Sequence, residues 1–291
     1  MSRPLILSLL ISSLFACNNS GEQPVSTTYS TVRPEGTVVP LVLAVHPLYN
    51  PRRLEAVYGP LISQLSAATG RPFRLEASRS YAAFEEKLAH REFEFALPNP
   101  YQTLRAREHG YTVFAKEADD SRFRGLFLAR KGDGPATLDD VRGKKVAFPA
   151  STALAAAMLP QLFLARAGLK VGRDYEPVYV GSQESSIMSV ATGDVALGVT
   201  WPPPWEALTA ERPELASQLE VRWQTAALVN NSVMARDDVD PALVALVRDT
   251  LLAFSPDLQG PERRFVAADD ATYEPVMVFL EAYTQEVGPP P

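Results

Sequence analysis

The stretch Val146-Ala147-Phe148-Pro149-Ala150-Ser151-Thr152-Ala153 joins a short apolar strand to the start of an alanine-rich helix. Serine and threonine at a helix start either accept hydrogen bonds from the first backbone N–H groups or leave those donors to a ligand. Because the free donors and the helix dipole both favour negative charge, the same pattern suits a bound oxyanion. We therefore take Ser151, Thr152 and Ala153 as candidate ligand contacts, with an ordinary helix cap as the alternative.

The N-terminus has the pattern of an export signal, which we place at residues 1–16. Arg3 supplies a positive charge, and residues 5–14 form an apolar core that is shorter than the roughly 20 residues of a transmembrane helix. Cys17, the single cysteine of the chain, follows Leu14-Phe15-Ala16. This order resembles the lipobox of bacterial lipoproteins, in which the cysteine is lipidated after cleavage; a plain secretory signal is the alternative.

Residues 17–37 carry the predicted lipidated cysteine and a segment rich in Ser, Thr, Asn, Gly and Pro. Such a composition is typical of a flexible tether. We therefore expect an exported protein of the periplasm whose only attachment to a membrane is a lipid anchor.

Composition excludes several classes of function. The chain has 291 residues and a formal net charge of -6, whereas a nucleic-acid partner would require a basic face. A small anion is not excluded, since backbone N–H groups bind anions without net positive charge. The three histidines lie far apart in sequence, and no familiar metal or nucleophile motif is present. We expect no cofactor, no metal and no enzyme activity.

Strands and helices alternate along the rest of the chain. Predicted strands at residues 38–45, 73–77 and 93–97 alternate with predicted helices at 53–68 and 81–89, which indicates a doubly wound α/β sheet. A second unit follows residues 131–135, with predicted strands at 145–148, 175–180 and 195–200. We predict an α/β protein of two lobes joined by two hinge crossovers, with lobe 1 at residues 38–131 and 226–291 and lobe 2 inserted at 132–225.

Ligands of open α/β sheets bind beyond the carboxyl ends of the strands. Two facing lobes would place such ends on both sides of one cleft. The segments there include Pro98-Asn99-Pro100-Tyr101 and Trp201-Pro202-Pro203-Pro204-Trp205, both predicted as loops. Further candidate contacts at these positions are His46, Tyr49, Asn99, Tyr101 and Trp201, although Trp201 would serve equally well as a plug between the lobes.

Over residues 38–283 the chain resembles the periplasmic substrate-binding proteins of phosphate, phosphite and phosphonate ABC transporters, which have the type 2 periplasmic-binding fold. The segments that carry the resemblance are Tyr58-Gly59-Pro60-Leu61, Phe93-Glu94-Phe95-Ala96, Leu138-Asp139-Asp140-Val141-Arg142-Gly143-Lys144-Lys145-Val146-Ala147-Phe148 and Gly181-Ser182-Gln183-Glu184.

The resemblance implies a ligand site with several departures. In the family, a Ser-Thr-Ser-Gly loop holds the phosphonate oxygens; Ser151 and Thr152 match it, but Ala153 and Leu154 do not. A family histidine is replaced by Gln183, and Glu184 keeps the acidic position that follows. Thr200 and Trp201 stand where aminophosphonate binders offer carboxylates. An aminophosphonate is therefore less expected than phosphate, phosphite or another small oxyanion.

The resemblance also implies a role. We expect a monomer that captures a small oxyanion between its lobes and delivers it to an ABC permease. A ligand-sensing module of the same fold, paired with a membrane signalling protein, is the alternative. An enzyme on this scaffold is a third hypothesis without a supporting motif.

Overall fold

The computed structural model describes residues 38–254 and 265–291. The predicted signal at 1–16, Cys17 and the predicted tether lie outside the described residues. Within the described ranges, no helix is both long enough and apolar enough to cross a membrane.

The first sheet has six strands in the order β11-β4-β10-β3-β1-β2. Strands β1 to β3 are parallel, and Val45 at the end of β1 lies opposite Ala77 of β2 and Leu97 of β3. The carboxyl ends of these three strands therefore share one edge. The strands are β1 Leu41–Val45, β2 Phe73–Ala77, β3 Phe95–Leu97, β4 Tyr111–Glu117, β10 Ser232–Arg236 and β11 Phe265–Ala267.

Five helices accompany the first sheet in sequence: α1 Pro51–Thr69, α2 Tyr81–Ala89, α3 Pro100–Arg107, α8 Pro241–Ala253 and α9 Glu274–Glu286. Helix α1 begins at Asn50, whose side chain accepts from the Arg53 N–H, and it ends at Gly70, whose φ of 65° a glycine adopts without strain. Its buried face includes Leu54, Leu61 and Leu65, which belong to the main hydrophobic core. The buried face of α1 thus anchors this helix, and the loop between β1 and α1, to the hydrophobic core.

The second sheet has five strands in the order β7-β6-β8-β5-β9. Strand β6 is parallel to β7 and β8, whereas β5 is antiparallel to both β8 and β9. The strands are β5 Leu126–Arg130, β6 Lys145–Phe148, β7 Glu176–Tyr179, β8 Leu197–Thr200 and β9 Leu219–Gln224. The helices are a π-helical turn Leu154–Met158 that continues into α4 Leu159–Arg166, then α5 Gln183–Thr192, α6 Pro202–Glu211 and α7 Pro213–Ala216.

The predicted α/β class with two lobes is confirmed, since the second sheet is built from strands that lie in sequence between β4 and β10 of the first. The pairing of the strands places one lobe boundary earlier in the chain than the predicted residue 131. Strand β5 lies before residue 131, yet it pairs with β8 and β9. The first crossover therefore runs between Glu117 and Leu126, because β5 completes the second sheet.

Both proline-rich segments predicted as loops begin helices instead. Helix α3 starts at Pro100 and helix α6 at Pro202. Proline is tolerated in a first turn because its missing N–H would have no partner within the helix anyway. These two helices place Asn99 and Trp201 at helix starts, directly beyond the ends of β3 and β8.

Candidate functional site

A hydrogen bond joins the two lobes at the ends of β3 and β6. The side-chain nitrogen of Asn99 donates to the main-chain oxygen of Thr152 at 3.0 Å, and both residues are buried. The Asn99 side-chain oxygen accepts from the Gln102 N–H at 3.0 Å, and the Gln102 side chain accepts from the Asn99 N–H at 3.1 Å. This reciprocal capping box fixes the side chain of Asn99, so its amide nitrogen is directed to the second lobe.

The Ser151–Thr152 segment does not cap a helix. The helix begins at Leu154, with Ala153 as its cap residue and no side-chain capping bond. Within residues 38–254 and 265–291, neither the Ser151 nor the Thr152 hydroxyl makes a hydrogen bond, and the N–H groups of Leu154, Ala155 and Ala156 have no acceptor. The ordinary helix cap that the sequence allowed here is therefore wrong, and the donors are available to an anion.

Three polar side chains form a directional chain across the lobes. The Thr200 hydroxyl donates to the Gln183 side-chain oxygen at 2.9 Å, and the Gln183 side-chain nitrogen donates to the Tyr81 phenol oxygen at 3.1 Å. All three residues are buried. Because the phenol oxygen accepts from Gln183, its own proton is left to donate to a ligand.

Burial raises the pKa of Tyr81 above its ordinary range, and the hydrogen bond from Gln183 opposes this only in part. Tyr81 therefore keeps its proton at all physiological pH values. A neutral phenol beside an anion is a hydrogen-bond donor that adds no charge repulsion.

His46 lies at the end of β1 beside this chain. Its Nδ1 is 3.1 Å from the main-chain oxygen of Leu97, and its ring centre lies 6.2 Å from that of Tyr81 and 6.5 Å from that of Trp201. Trp201 is buried, and its ring centre lies 5.5 Å from that of Phe123 in an edge-on arrangement. His46, Gln183, Thr200 and Trp201 are thus brought together where the two lobes meet.

Two predicted contacts are placed elsewhere. The Tyr101 hydroxyl donates to the main-chain oxygen of Pro291. The half-exposed side chain of Glu184 pairs with Arg212 at 3.4 Å. Neither side chain joins the polar residues of the cleft in this structure.

Tyr49 lies in a neighbouring cavity of about 230 Å³ between the lobes, which we call the outer cavity. The Arg53 guanidinium lies 5.1 Å from the centre of the Tyr49 ring, a cation–π contact. The first lobe lines the outer cavity with residues 47–51, Arg53, Ser78 and Arg79, and the second lobe with residues 181–184, Ile187, Pro204, Ala207, Leu208, Glu211 and Arg212.

The sequence interpretation missed Tyr81, Ser78 and three arginines of the outer cavity. Ser78 and Tyr81 follow the end of β2, so the rule that ligands bind at strand ends could have found them. Arg53 and Arg212 lie within or just after helices, and no local pattern distinguishes them from surface charges. Within the described ranges, no group of His, Cys, Asp and Glu could hold a metal ion.

Two α/β lobes, one inserted in the other and joined by two crossovers with a polar cleft at their strand ends, define a hinged ligand-binding protein. The chain belongs to the phosphonate periplasmic substrate-binding protein family of ABC transporters, whose model matches residues 43–275. This membership confirms the predicted family. It also confirms the prediction that the chain is a binding protein rather than an enzyme.

Relatives and solved structures agree with this assignment. The chain is 25% identical over 271 residues to the phosphate-import protein PhnD of Mycolicibacterium smegmatis, covering 88% of this chain and 82% of that protein. It is similar in fold to a binding protein component of an ABC phosphonate transporter from Pseudomonas aeruginosa, with a TM-score of 0.76, 16% identity and coverage of 84% and 86%. PhnD1 from Prochlorococcus marinus, solved with methylphosphonate, gives a TM-score of 0.72, 17% identity and coverage of 83% and 97%.

Proposed function

We propose that this chain captures a small phosphorus oxyanion, of the phosphate, phosphite or phosphonate class, in the cleft between its lobes. The anion would lie against the Ser151 and Thr152 hydroxyls and the N–H groups of Leu154, Ala155 and Ala156. On the other side, the Tyr81 phenol would donate a hydrogen bond. His46 and Trp201 would close the site from the side.

The observation that supports this proposal best is the uncapped helix start beyond β6. A helix start with free N–H groups and two free hydroxyls is a site for negative charge. It lies beside Asn99, which joins it to the first lobe. The donor set is neutral, which suits recognition of an oxyanion by hydrogen bonds in a buried cleft.

The cleft would work by hinge closure. The two crossovers, at residues 118–125 and 225–231, would allow the lobes to separate and close. The Asn99–Thr152 and Gln183–Tyr81 bonds belong to the closed form, since each links the two lobes. Ligand binding would favour this form because the anion supplies the acceptor that the aligned donors need.

Delivery to an ABC permease completes the proposed role. The lipid on Cys17 and the tether of residues 18–37 would hold a monomeric body near the membrane. This part rests on the sequence pattern and on the family, and it extends the oxyanion site to a transport step.

Isothermal titration calorimetry tests the ligand class. We expect phosphate, phosphite or methylphosphonate to bind with one site per chain, and sulfate to bind more weakly. Absence of binding by all three phosphorus oxyanions would contradict the proposal. Metabolic labelling with palmitate, comparing the full chain with a Cys17→Ser variant, tests the anchor: label only on the unmodified chain is expected.

A further inference from the structure

We propose that the outer cavity is a second binding subsite. It accepts a carboxylate that a short carbon chain joins to the phosphonate group of the same ligand. The proposal rests on the proposed function and narrows its ligand to the phosphonocarboxylate class. The phosphonate would lie at the inner site beside Ser151 and Tyr81. The carboxylate would extend past Gln183 into the outer cavity.

The outer cavity has one more positive side chain than it has negative side chains, so it suits a ligand group with one negative charge. Three arginines and two glutamates line it. Arg53 pairs with Glu211, and Arg212 pairs with Glu184. Arg79 makes neither an ion pair nor a side-chain hydrogen bond within residues 38–254 and 265–291. One guanidinium is therefore left to pair with a carboxylate, for which its planar donor fork is suited.

Uncharged donors in the same cavity also lack partners. Ser78 is 6% exposed, and its hydroxyl makes no hydrogen bond to any described group. A buried hydroxyl without a partner is costly. The N–H groups of Gln183 and Glu184, at the start of the ten-residue helix α5, likewise find no acceptor in the described ranges, since Ser182 caps only the Ser185 N–H. A carboxylate would satisfy these donors.

The inner site and the outer cavity share one residue. Gln183 holds Tyr81 and Thr200 with its side chain, and it also lines the outer cavity. Leu48, Ile187 and Leu208 line the same space and would contact methylene groups between the two acidic ends. The cavity thus offers apolar walls for a carbon chain and polar donors for its terminal group.

Competitive calorimetry with methylphosphonate and 3-phosphonopropionate tests the subsite. The unmodified protein should bind 3-phosphonopropionate about tenfold more tightly, which is the gain expected from one charge-assisted contact. In an Arg79→Gln variant the ratio of the two affinities should fall close to one, while the affinity for methylphosphonate stays within about twofold of that of the unmodified protein. Arg71→Gln is the matched control, because Arg71 is also an exposed arginine but precedes β2, whereas Arg79 follows it.

Each outcome is decisive. Equal or weaker binding of 3-phosphonopropionate by the unmodified protein would overturn the subsite while leaving the oxyanion site intact. An unchanged preference in Arg79→Gln, or an equal loss in Arg71→Gln, would also overturn it. If neither compound binds, the proposed function itself fails and the subsite fails with it.

Discussion

Asn99 uses its two amide atoms for two different lobes. Its oxygen caps helix α3 in the first lobe, and its nitrogen donates to the Thr152 main-chain oxygen of the second lobe at 3.0 Å. The side chain that starts a helix therefore also makes a contact between the two lobes. A substitution at Asn99 can therefore test the proposed closure of the cleft separately from the stability of the fold.

Asn99→Asp should weaken oxyanion binding while leaving the fold stable. Aspartate still accepts from the Gln102 N–H and still caps α3, but it cannot donate to Thr152 and places negative charge beside the ligand. We expect a loss of affinity of about tenfold or more and a thermal midpoint without ligand within a few degrees of the unmodified protein. Calorimetry and thermal unfolding measure the two effects, and unchanged affinity would contradict the role of Asn99 in closure.

Gln183→Ala should reduce oxyanion affinity by breaking the chain from Thr200 to Tyr81. The Thr200 hydroxyl would lose its acceptor, and the Tyr81 phenol would no longer be held in position. The expected loss is about tenfold, comparable to one buried hydrogen bond. Gln218→Ala is the control, because Gln218 is an exposed glutamine of the same lobe. Equal effects of the two changes would show that Gln183 has no special part in binding.

Oxyanion binding should persist above pH 9. Burial raises the pKa of Tyr81 above its ordinary value, which is about 10 for a free phenol. The donating, protonated form is present below the raised pKa and is lost only as pH rises through it. Affinity for methylphosphonate, corrected for the ligand's own ionisation, should therefore stay constant from pH 8 to pH 10.

Tyr81→Phe should bind about tenfold more weakly across the same pH range, since the donor is missing at every pH. Calorimetry in matched buffers measures both proteins. A decline in the unmodified protein that is centred below pH 10 and absent from Tyr81→Phe would mean that the phenol ionises more easily than its burial implies.

Two buried tyrosines should respond in opposite ways to loss of their hydroxyl. The Tyr175 hydroxyl is buried without a hydrogen-bond partner, so Tyr175→Phe should raise the free energy of unfolding by about 1 kcal/mol. The Tyr273 hydroxyl donates to the Asn230 main-chain oxygen at 2.7 Å, so Tyr273→Phe should lower it by about 1 kcal/mol. Urea denaturation measures both, and destabilisation by Tyr175→Phe would show that its hydroxyl does have a partner.

The sequence predicted the inserted α/β architecture because strand and helix periodicity are local properties. It also predicted the strand-end positions of His46, Asn99, Thr152 and Thr200, since parallel strands share an edge. It did not predict helices α3 and α6. Proline is typical both of loops and of the first turn of a helix, and the sequence alone did not distinguish the two at Pro100 and Pro202.

The rest of the site depends on contacts between distant segments. Tyr81 and Gln183 are 102 positions apart in the sequence, yet they share a hydrogen bond. Arg53 and Glu211 pair across 158 positions. No local sequence pattern predicts such long-range contacts, so the ion pairs of the outer cavity could be found only in the folded chain. The same holds for Tyr101, which the fold directs to Pro291 rather than to the cleft.

A crystal structure of the protein with methylphosphonate would locate the oxyanion directly. We predict that the phosphonate oxygens lie within hydrogen-bond distance of the Thr152 hydroxyl, the Leu154–Ala156 N–H groups and the Tyr81 phenol, with the Asn99–Thr152 bond intact. A phosphonate held away from the Ser151–Thr152 segment, with that helix start still without a ligand, would contradict the proposed site.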